Sequence, residues 1–137
     1  MEPTSAIHPG MTAEGRFVVE ERHLAPHLGS GSARVLATPA MIAWMERTAH
    51  QLLEQHLPEG YSSVGTHLDV RHLAPTPLGS PVLVEVVILS VDGIQVTFEV
   101  QARDDFEQIG VGQHQRVVIE KSRFLKRVAK KSDSAAL

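Results

Sequence analysis

Three side chains in this sequence place chemically useful groups inside otherwise apolar patterns. Thr38 precedes Pro39 at the predicted start of a helix, Glu46 interrupts the apolar face of that helix, and His72 ends an alternating segment. A hydroxyl, a carboxylate and an imidazole are groups that proteins use for nucleophilic attack and proton transfer. Each of the three also has an ordinary structural explanation.

Glu46 lies four residues after Ile42 and seven before Leu53, so helical spacing puts it within the apolar stripe. A buried carboxylate without a partner is costly, and such groups are candidates for acid–base chemistry. The structural alternative is that Glu46 lies at the edge of the stripe and pairs with Arg47 or His50.

His72 shares a predicted strand face with Leu68 and Val70, so we expect its ring to point toward the helix. Histidine is the side chain most easily tuned for proton transfer near neutral pH. The alternatives are a core histidine bonded to a backbone carbonyl, or a strand bulge that reverses its direction.

Thr38 is a good N-cap residue, and Pro39 suits the first helical position. A hydroxyl there also lies beside free backbone N–H groups, which can stabilise a developing oxyanion. Thr38 and Glu46 are separated by roughly 12 Å along a helix axis, so a substrate, a water or His72 would have to lie between them.

The elements that must position these residues form an α+β pattern of one strand, one long helix and four further strands. Within Ser62–Leu73, one predicted face carries Val64, Thr66 and His72, and the other carries Gly65, His67, Asp69 and Arg71. His67 and Asp69 should therefore not converge with His72 on a metal, and we predict no metal site. The predicted strands are Arg16–Arg22, Ser62–Leu73, Val82–Val91, Ile94–Arg103 and Glu107–Glu120, and the helix is Thr38–His56.

The composition is that of a single globular domain of 137 residues with a net charge of -3 and no cysteine. No apolar run reaches the length of about 18 residues that a membrane span needs. We therefore expect a cytoplasmic protein without nucleic-acid or membrane partners. We predict a flexible N-terminus over 1–14, a folded domain over 15–122 and a basic, flexible tail over 123–137. A nucleic-acid-binding tail is the alternative for the lysines and arginines of the last segment.

Two segments of the chain carry specific motifs. The first is Val35-Leu36-Ala37-Thr38-Pro39 with Glu46. The second runs from Val64-Gly65-Thr66-His67 through Arg71 to Gly79, and its most specific part reads GT…HLAPTPLG. Together these segments resemble the fluoroacetyl-CoA thioesterase-like branch of the hotdog-fold proteins. The resemblance covers residues 15–122, and the order of predicted elements agrees with it.

The resemblance implies a hotdog fold, in which a curved antiparallel sheet wraps one central helix. It also implies a homodimer, alone or paired into a dimer of dimers, with active sites near the subunit interface. The implied reaction is hydrolysis of an acyl-CoA thioester to a carboxylate and CoA, with no cofactor beyond the CoA of the substrate. Thr38, Glu46 and His72 would be the catalytic set, and the backbone of Gly65 would lie against the acyl group.

One feature departs from the family pattern and concerns the substrate. The fluoroacetyl-specific enzyme closes its pocket with phenylalanines near the loop before the helix, but residues 28–34 here contain no aromatic side chain. We therefore expect a short-chain or other small acyl-CoA as substrate, with Arg34 as a candidate contact to pantetheine or phosphate. A non-catalytic acyl-CoA or small-ligand binding module is the alternative, and a hotdog dehydratase is a third choice.

Overall fold

A 17-residue helix packs against a five-stranded antiparallel sheet and forms the centre of the fold. The structure is a computed structural model and describes residues 2–135. It confirms the predicted α+β class. The elements are β1 (Thr12–Val18), a 3-10 turn (Glu21–His23), α1 (Ala25–Leu28), α2 (Thr38–Glu54), β2 (Tyr61–His72), β3 (Pro81–Asp92), β4 (Gln95–Arg103), β5 (Gln108–Glu120) and α3 (Lys121–Ala135).

Helix α2 buries most of its predicted apolar stripe, with Met41 in place of Ile42, which is only partly buried. Met41, Met45, Ala49 and Leu53 follow one another at four-residue spacing, and all four are fully buried. Burying a large apolar side chain contributes roughly 1.5–3 kcal/mol, so this stripe holds the helix on the sheet. The helix ends at Glu54, two residues before the predicted end.

The sheet has the strand order β1-β3-β4-β5-β2, so β1 and β2 form its two edges. The hairpin between β3 and β4 turns at Asp92-Gly93, between the two predicted strands, and Gly93 has the positive φ, 61°, that such a tight turn requires. Alternate residues of these two strands face α2 and complete the core. They are Val82, Val84, Val86, Ile88, Val96, Phe98, Val100 and Ala102.

A bulge in β2 changes which residues face the helix. The register between β2 and β5 shifts between Gly65 and His67, which leaves Thr66 as the extra residue. As a result Gly65 faces α2 together with His72, although simple alternation put the two on opposite faces. The predicted placement of Val64 on the helix-facing side was therefore wrong.

The N-terminal part of the chain is more ordered than the sequence predicts. Strand β1 begins at Thr12 and ends at Val18, four residues earlier than expected, so the predicted boundary at residue 15 falls inside it. Within the predicted flexible segment, Ile7 is buried and the Thr4 hydroxyl donates to the Gly93 carbonyl at 2.9 Å. The first residue of that segment lies outside the described residues.

The C-terminal segment also differs from the prediction. The stretch expected to be a flexible basic tail forms α3, which follows β5 directly and continues to Ala135. Residues 136 and 137 lie outside the described part of the chain. Over residues 2–135, no helix is both long and apolar enough to cross a membrane.

Candidate active site

Thr38 is the first residue of α2, and its hydroxyl does not cap the helix. Ala37 occupies the N-cap position with extended backbone angles, and it provides no side-chain cap. The predicted N-cap role of Thr38 was therefore wrong. Its Oγ1 instead lies 2.7 Å from Nδ1 of His72, within a short hydrogen bond.

His72 is the last residue of β2 and pairs with Gly110 of β5. Its ring faces α2, as alternation from Leu68 and Val70 predicted. Burial lowers the pKa of His72 below its ordinary value of 6.5, while the neighbouring Ala74 backbone acts in the opposite direction. The imidazole is therefore neutral at pH 7, and its Nδ1 can accept a proton from the Thr38 hydroxyl.

An open cavity of about 480 Å³ lies beside this pair, between the start of α2 and the end of β2. The loop before the helix contributes small side chains from Ser30 to Ala33 and then the aliphatic Val35 and Leu36, but no aromatic ring. In the first turn of α2, Pro39 has no N–H and the Met41 N–H donates to the Ala37 carbonyl, which leaves the N–H groups of Thr38 and Ala40 without a backbone partner among the described residues. The cavity therefore combines the hydroxyl and backbone N–H of Thr38 with a histidine base and room for a small acyl group.

Glu46 lies eight residues beyond Thr38 on α2 and does not line this cavity. Its side chain is 39% exposed, and its Oε2 is 3.5 Å from Nη1 of Arg116. Glu46 therefore lies at the edge of the apolar stripe, as the structural alternative held, and not buried within it. The partner that this alternative proposed, Arg47 or His50, was wrong. Within residues 2–135, no hydrogen bond or ion pair joins Glu46 to Thr38 or His72. Within one chain, Thr38 and His72 are thus in contact, whereas Glu46 lies apart from them beside Gly65.

Gly65 gives the Glu46 carboxylate its space. A methyl group on Gly65 would lie 2.6 Å from Oε2 of Glu46 and 3.2 Å from the ring of His114. A side chain at this position would therefore displace the carboxylate. The close approach of strand and helix explains why glycine follows Val64 at this point of β2.

Two buried polar residues of β5, Arg116 and His114, were missed by the sequence analysis. Nε of Arg116 donates to the Ser63 hydroxyl at 2.8 Å, and Nη2 donates to the Ser63 carbonyl at 3.1 Å. Its Nη1 lies 3.1 Å from Nε2 of His114. Alternation back from buried Val118 reaches both residues, so strand period could have located them on the helix-facing side.

The tautomer of His114 follows from its two partners. Its Nδ1 must donate to the His67 carbonyl, at 2.9 Å, so its Nε2 is free to accept from Arg116. Burial is the main cause that lowers the pKa of His114, and the Arg116 charge acts in the same direction. A neutral His114 therefore supports the guanidinium that faces Glu46.

The remaining predicted positions have simpler surroundings. Arg34 forms an exposed ion pair with Glu21, so its guanidinium is already engaged in this structure. His67 and Asp69 form no metal-binding group. Over residues 2–135, no cluster of three or more potential ligands is present.

Comparison with known proteins identifies the relatives of this chain. Residues 19–122 match the family model described as FlK, the fluoroacetyl-CoA-specific thioesterase. The fluoroacetyl-CoA thioesterase of Streptantibioticus cattleyicolor is 34% identical over 113 residues, which cover 81% of each protein. The chain belongs to this thioesterase family.

Solved structures confirm the hotdog fold. A solved structure of FlK superposes with a TM-score of 0.87 at 31% identity, covering 91% of this chain and 97% of FlK. A substituted FlK in complex with acetyl-CoA gives the same TM-score. A hot-dog-like protein from Thermanaerovibrio acidaminovorans gives a TM-score of 0.87 at 27% identity, with 96% of this chain and 97% of that chain covered.

Proposed function

We propose that this protein hydrolyses small acyl-CoA thioesters, with Thr38 and His72 at the reacting centre. The observation that carries the proposal is the 2.7 Å contact between the Thr38 hydroxyl and Nδ1 of His72 at the open start of a helix. Membership of the thioesterase family supports the same reaction. The substrate supplies the CoA, and the proposal requires no metal or further cofactor.

In the first route, Thr38 is the nucleophile. His72 takes the hydroxyl proton, Thr38 Oγ1 attacks the thioester carbon, and the oxyanion forms beside the N–H groups of the α2 N-terminus. The C–S bond then breaks, and His72 gives its proton to the departing CoA sulfur. Water next attacks the threonyl ester with His72 as base, which releases the carboxylate and restores the hydroxyl.

In the second route, Thr38 only positions the thioester carbonyl or a water molecule, and His72 activates that water directly. The two routes differ in one observable, the acylated Thr38. Rapid quenching of a first turnover followed by mass spectrometry of the intact protein should reveal an added acyl mass only for the first route.

We further propose that the site is completed by a second copy of the chain. Strand β2 is an edge of the sheet, so its free backbone groups are available for pairing with another β2. Helix α2 and strand β2 run antiparallel, with His72 near Thr38 and Gly65 near Glu46. A two-fold axis beside Leu68 and Asp69 would bring Glu46 of one chain opposite His72 of the other.

Complementation between inactive variants tests this arrangement. Thr38→Ala and Glu46→Ala should each be inactive alone. Random mixing in a 1:1 ratio makes half of the dimers mixed, and each mixed dimer regains one intact site if Glu46 acts across the interface. The mixture should therefore recover about a quarter of wild-type activity. No recovery after the two variants are unfolded and refolded together, with mixed dimers verified by native mass spectrometry, would place all three residues in one chain.

The substrate is proposed to be a short-chain or other small acyl-CoA, without strong preference for fluoroacetyl-CoA. The support is the small-residue loop at Ser30–Ala33, which offers no aromatic ring to cover the acyl group. A panel of acetyl-, fluoroacetyl-, branched and aromatic acyl-CoAs should give kcat/KM ratios for fluoroacetyl over acetyl within about tenfold. We place the reaction in the cytoplasm, where the absence of cysteine is unremarkable.

A non-catalytic acyl-CoA binding module is the second candidate. The observation in its favour is that Glu46 pairs with Arg116 and not with Thr38 or His72 in one chain. This alternative predicts saturable binding of acyl-CoA without CoA release across the panel. Turnover that is lost in His72→Ala would exclude it.

A further inference from the structure

Helix α3 differs in composition from the rest of the protein. All four lysines of the chain lie in it, whereas the seven cationic Lys or Arg positions before it are all arginine. The helix contains one acid, Asp133. Its basic residues are Lys121, Arg123, Lys126, Arg127, Lys130 and Lys131.

The charge of the chain is therefore divided between two regions. Helix α3 carries a net charge of +5, and because the whole chain carries -3, the remaining residues carry -8. An anionic surface would repel the body of the protein and attract only this helix. The separation is thus suited to one orientation at a charged surface.

The helix is anchored to the body at its beginning. The Lys121 backbone donates to the Gly60 carbonyl at 2.9 Å, and half-buried Phe124 lines a cavity together with Tyr61 and Ile119. Arg127 reaches the rim of the same cavity, but every residue from Leu125 to Asp133 is exposed. The cationic part of α3 is therefore largely open to solvent.

The exposed part has an apolar and a cationic side. At 100° per residue, Leu125, Val128 and Ala129 share one side, and Lys126 and Lys130 lie on the other. Leu125 is 61% and Val128 is 46% exposed, so the apolar side is not covered by the chain itself. Long lysine side chains can reach charged headgroups while a narrow apolar strip enters the interface.

We propose that α3 binds anionic lipid surfaces, lying parallel to the bilayer with Leu125 and Val128 in the headgroup region. Lysine is depleted in protein–protein interfaces, where arginine is preferred, so the lysine-rich composition favours a lipid over a protein partner. A second copy of α3 is disfavoured because both helices carry +5. Amphipathic helices with four to eight basic residues are typical of attraction to anionic headgroups.

Vesicle sedimentation of the full chain tests the proposal. The wild type should bind vesicles of equal parts phosphatidylglycerol and phosphatidylcholine at low salt, and it should not bind pure phosphatidylcholine. Each basic residue near the surface multiplies partitioning about fivefold. Lys126→Glu with Lys130→Glu should therefore weaken binding by at least about 25-fold, and Leu125→Ser with Val128→Ser should also weaken it.

The control matches the change in net charge outside α3. Arg16→Glu with Arg103→Glu alters two exposed side chains elsewhere on the sheet and should retain most of the binding. The proposal would be overturned if the wild type did not bind phosphatidylglycerol vesicles at low salt. It would also be overturned if Lys126→Glu/Lys130→Glu bound these vesicles as strongly as the wild type. Binding of an acidic protein in place of vesicles would also overturn it. All α3 variants should still hydrolyse soluble acetyl-CoA, so failure of the lipid proposal is distinguishable from failure of the proposed function.

Discussion

Replacement of Gly65 by alanine should damage activity far more than stability. The added methyl group would lie 2.6 Å from Oε2 of Glu46, about 0.8 Å short of the 3.4 Å at which ordinary contacts begin. Gly65 does not have a positive φ, so alanine fits its backbone without strain. The substitution therefore acts mainly on the position of the Glu46 carboxylate.

The magnitude follows from that displacement. The Glu46 side chain is 39% exposed and can move outward, so the cost in unfolding free energy should stay below about 1 kcal/mol. Misplacing a catalytic group by about 1 Å can reduce a rate by roughly 100-fold, which corresponds to about 2.7 kcal/mol in activation free energy. We therefore expect kcat to fall by roughly 100-fold.

The assay is continuous detection of released CoA with a thiol reagent, together with urea unfolding. Gly15→Ala is the matched control, because its methyl group would lie 2.5 Å from the Thr48 hydroxyl on the opposite side of α2. That variant should lose stability and keep its kcat once folded. Wild-type kcat in Gly65→Ala, or equal losses of kcat in the two variants, would refute the assignment of Glu46 to the site.

Four further predictions concern other residues of the site. Thr38→Val should lower kcat by roughly 1000-fold with little change in Tm, and Thr38→Ser should retain activity, as measured by CoA release. Because burial lowers the pKa of His72, its neutral form persists below pH 6.5, and the acid limb of the kcat/KM profile should lie below that value. Because the pKa of His114 is lowered in the folded protein, the unfolded chain binds a proton below pH 6.5 that the folded chain does not bind. The free energy of unfolding, measured by urea titration, should therefore decrease as the pH falls below 6.5. Arg116→Met removes the three hydrogen bonds that the guanidinium makes with Ser63 and His114. The free energy of unfolding in the same urea titration should therefore decrease by roughly 3 kcal/mol. A decrease below about 0.5 kcal/mol would mean that these buried hydrogen bonds do not stabilise the fold.

Local patterns in the sequence were sufficient for the architecture and for part of the site. The apolar spacing of α2, the turn at Gly93 and the alternation of β3 and β4 depend on neighbouring residues, and the structure confirms them. The same local reasoning directed His72 toward the helix. Helical period, strand alternation and turn chemistry are properties of short segments, so they can be read before any tertiary contact is known.

The parts that could not be read from the sequence depend on pairing between distant segments. The Arg116 guanidinium meets Ser63 across 53 positions, and the bulge at Thr66 exists only because β2 pairs with β5. That bulge turns Gly65 toward Glu46, and the fold brings His72 to Thr38 across 34 positions, which frees the hydroxyl from a capping role. Register and side-chain partners follow from packing of the whole chain, because each strand can satisfy its own pattern in several alignments.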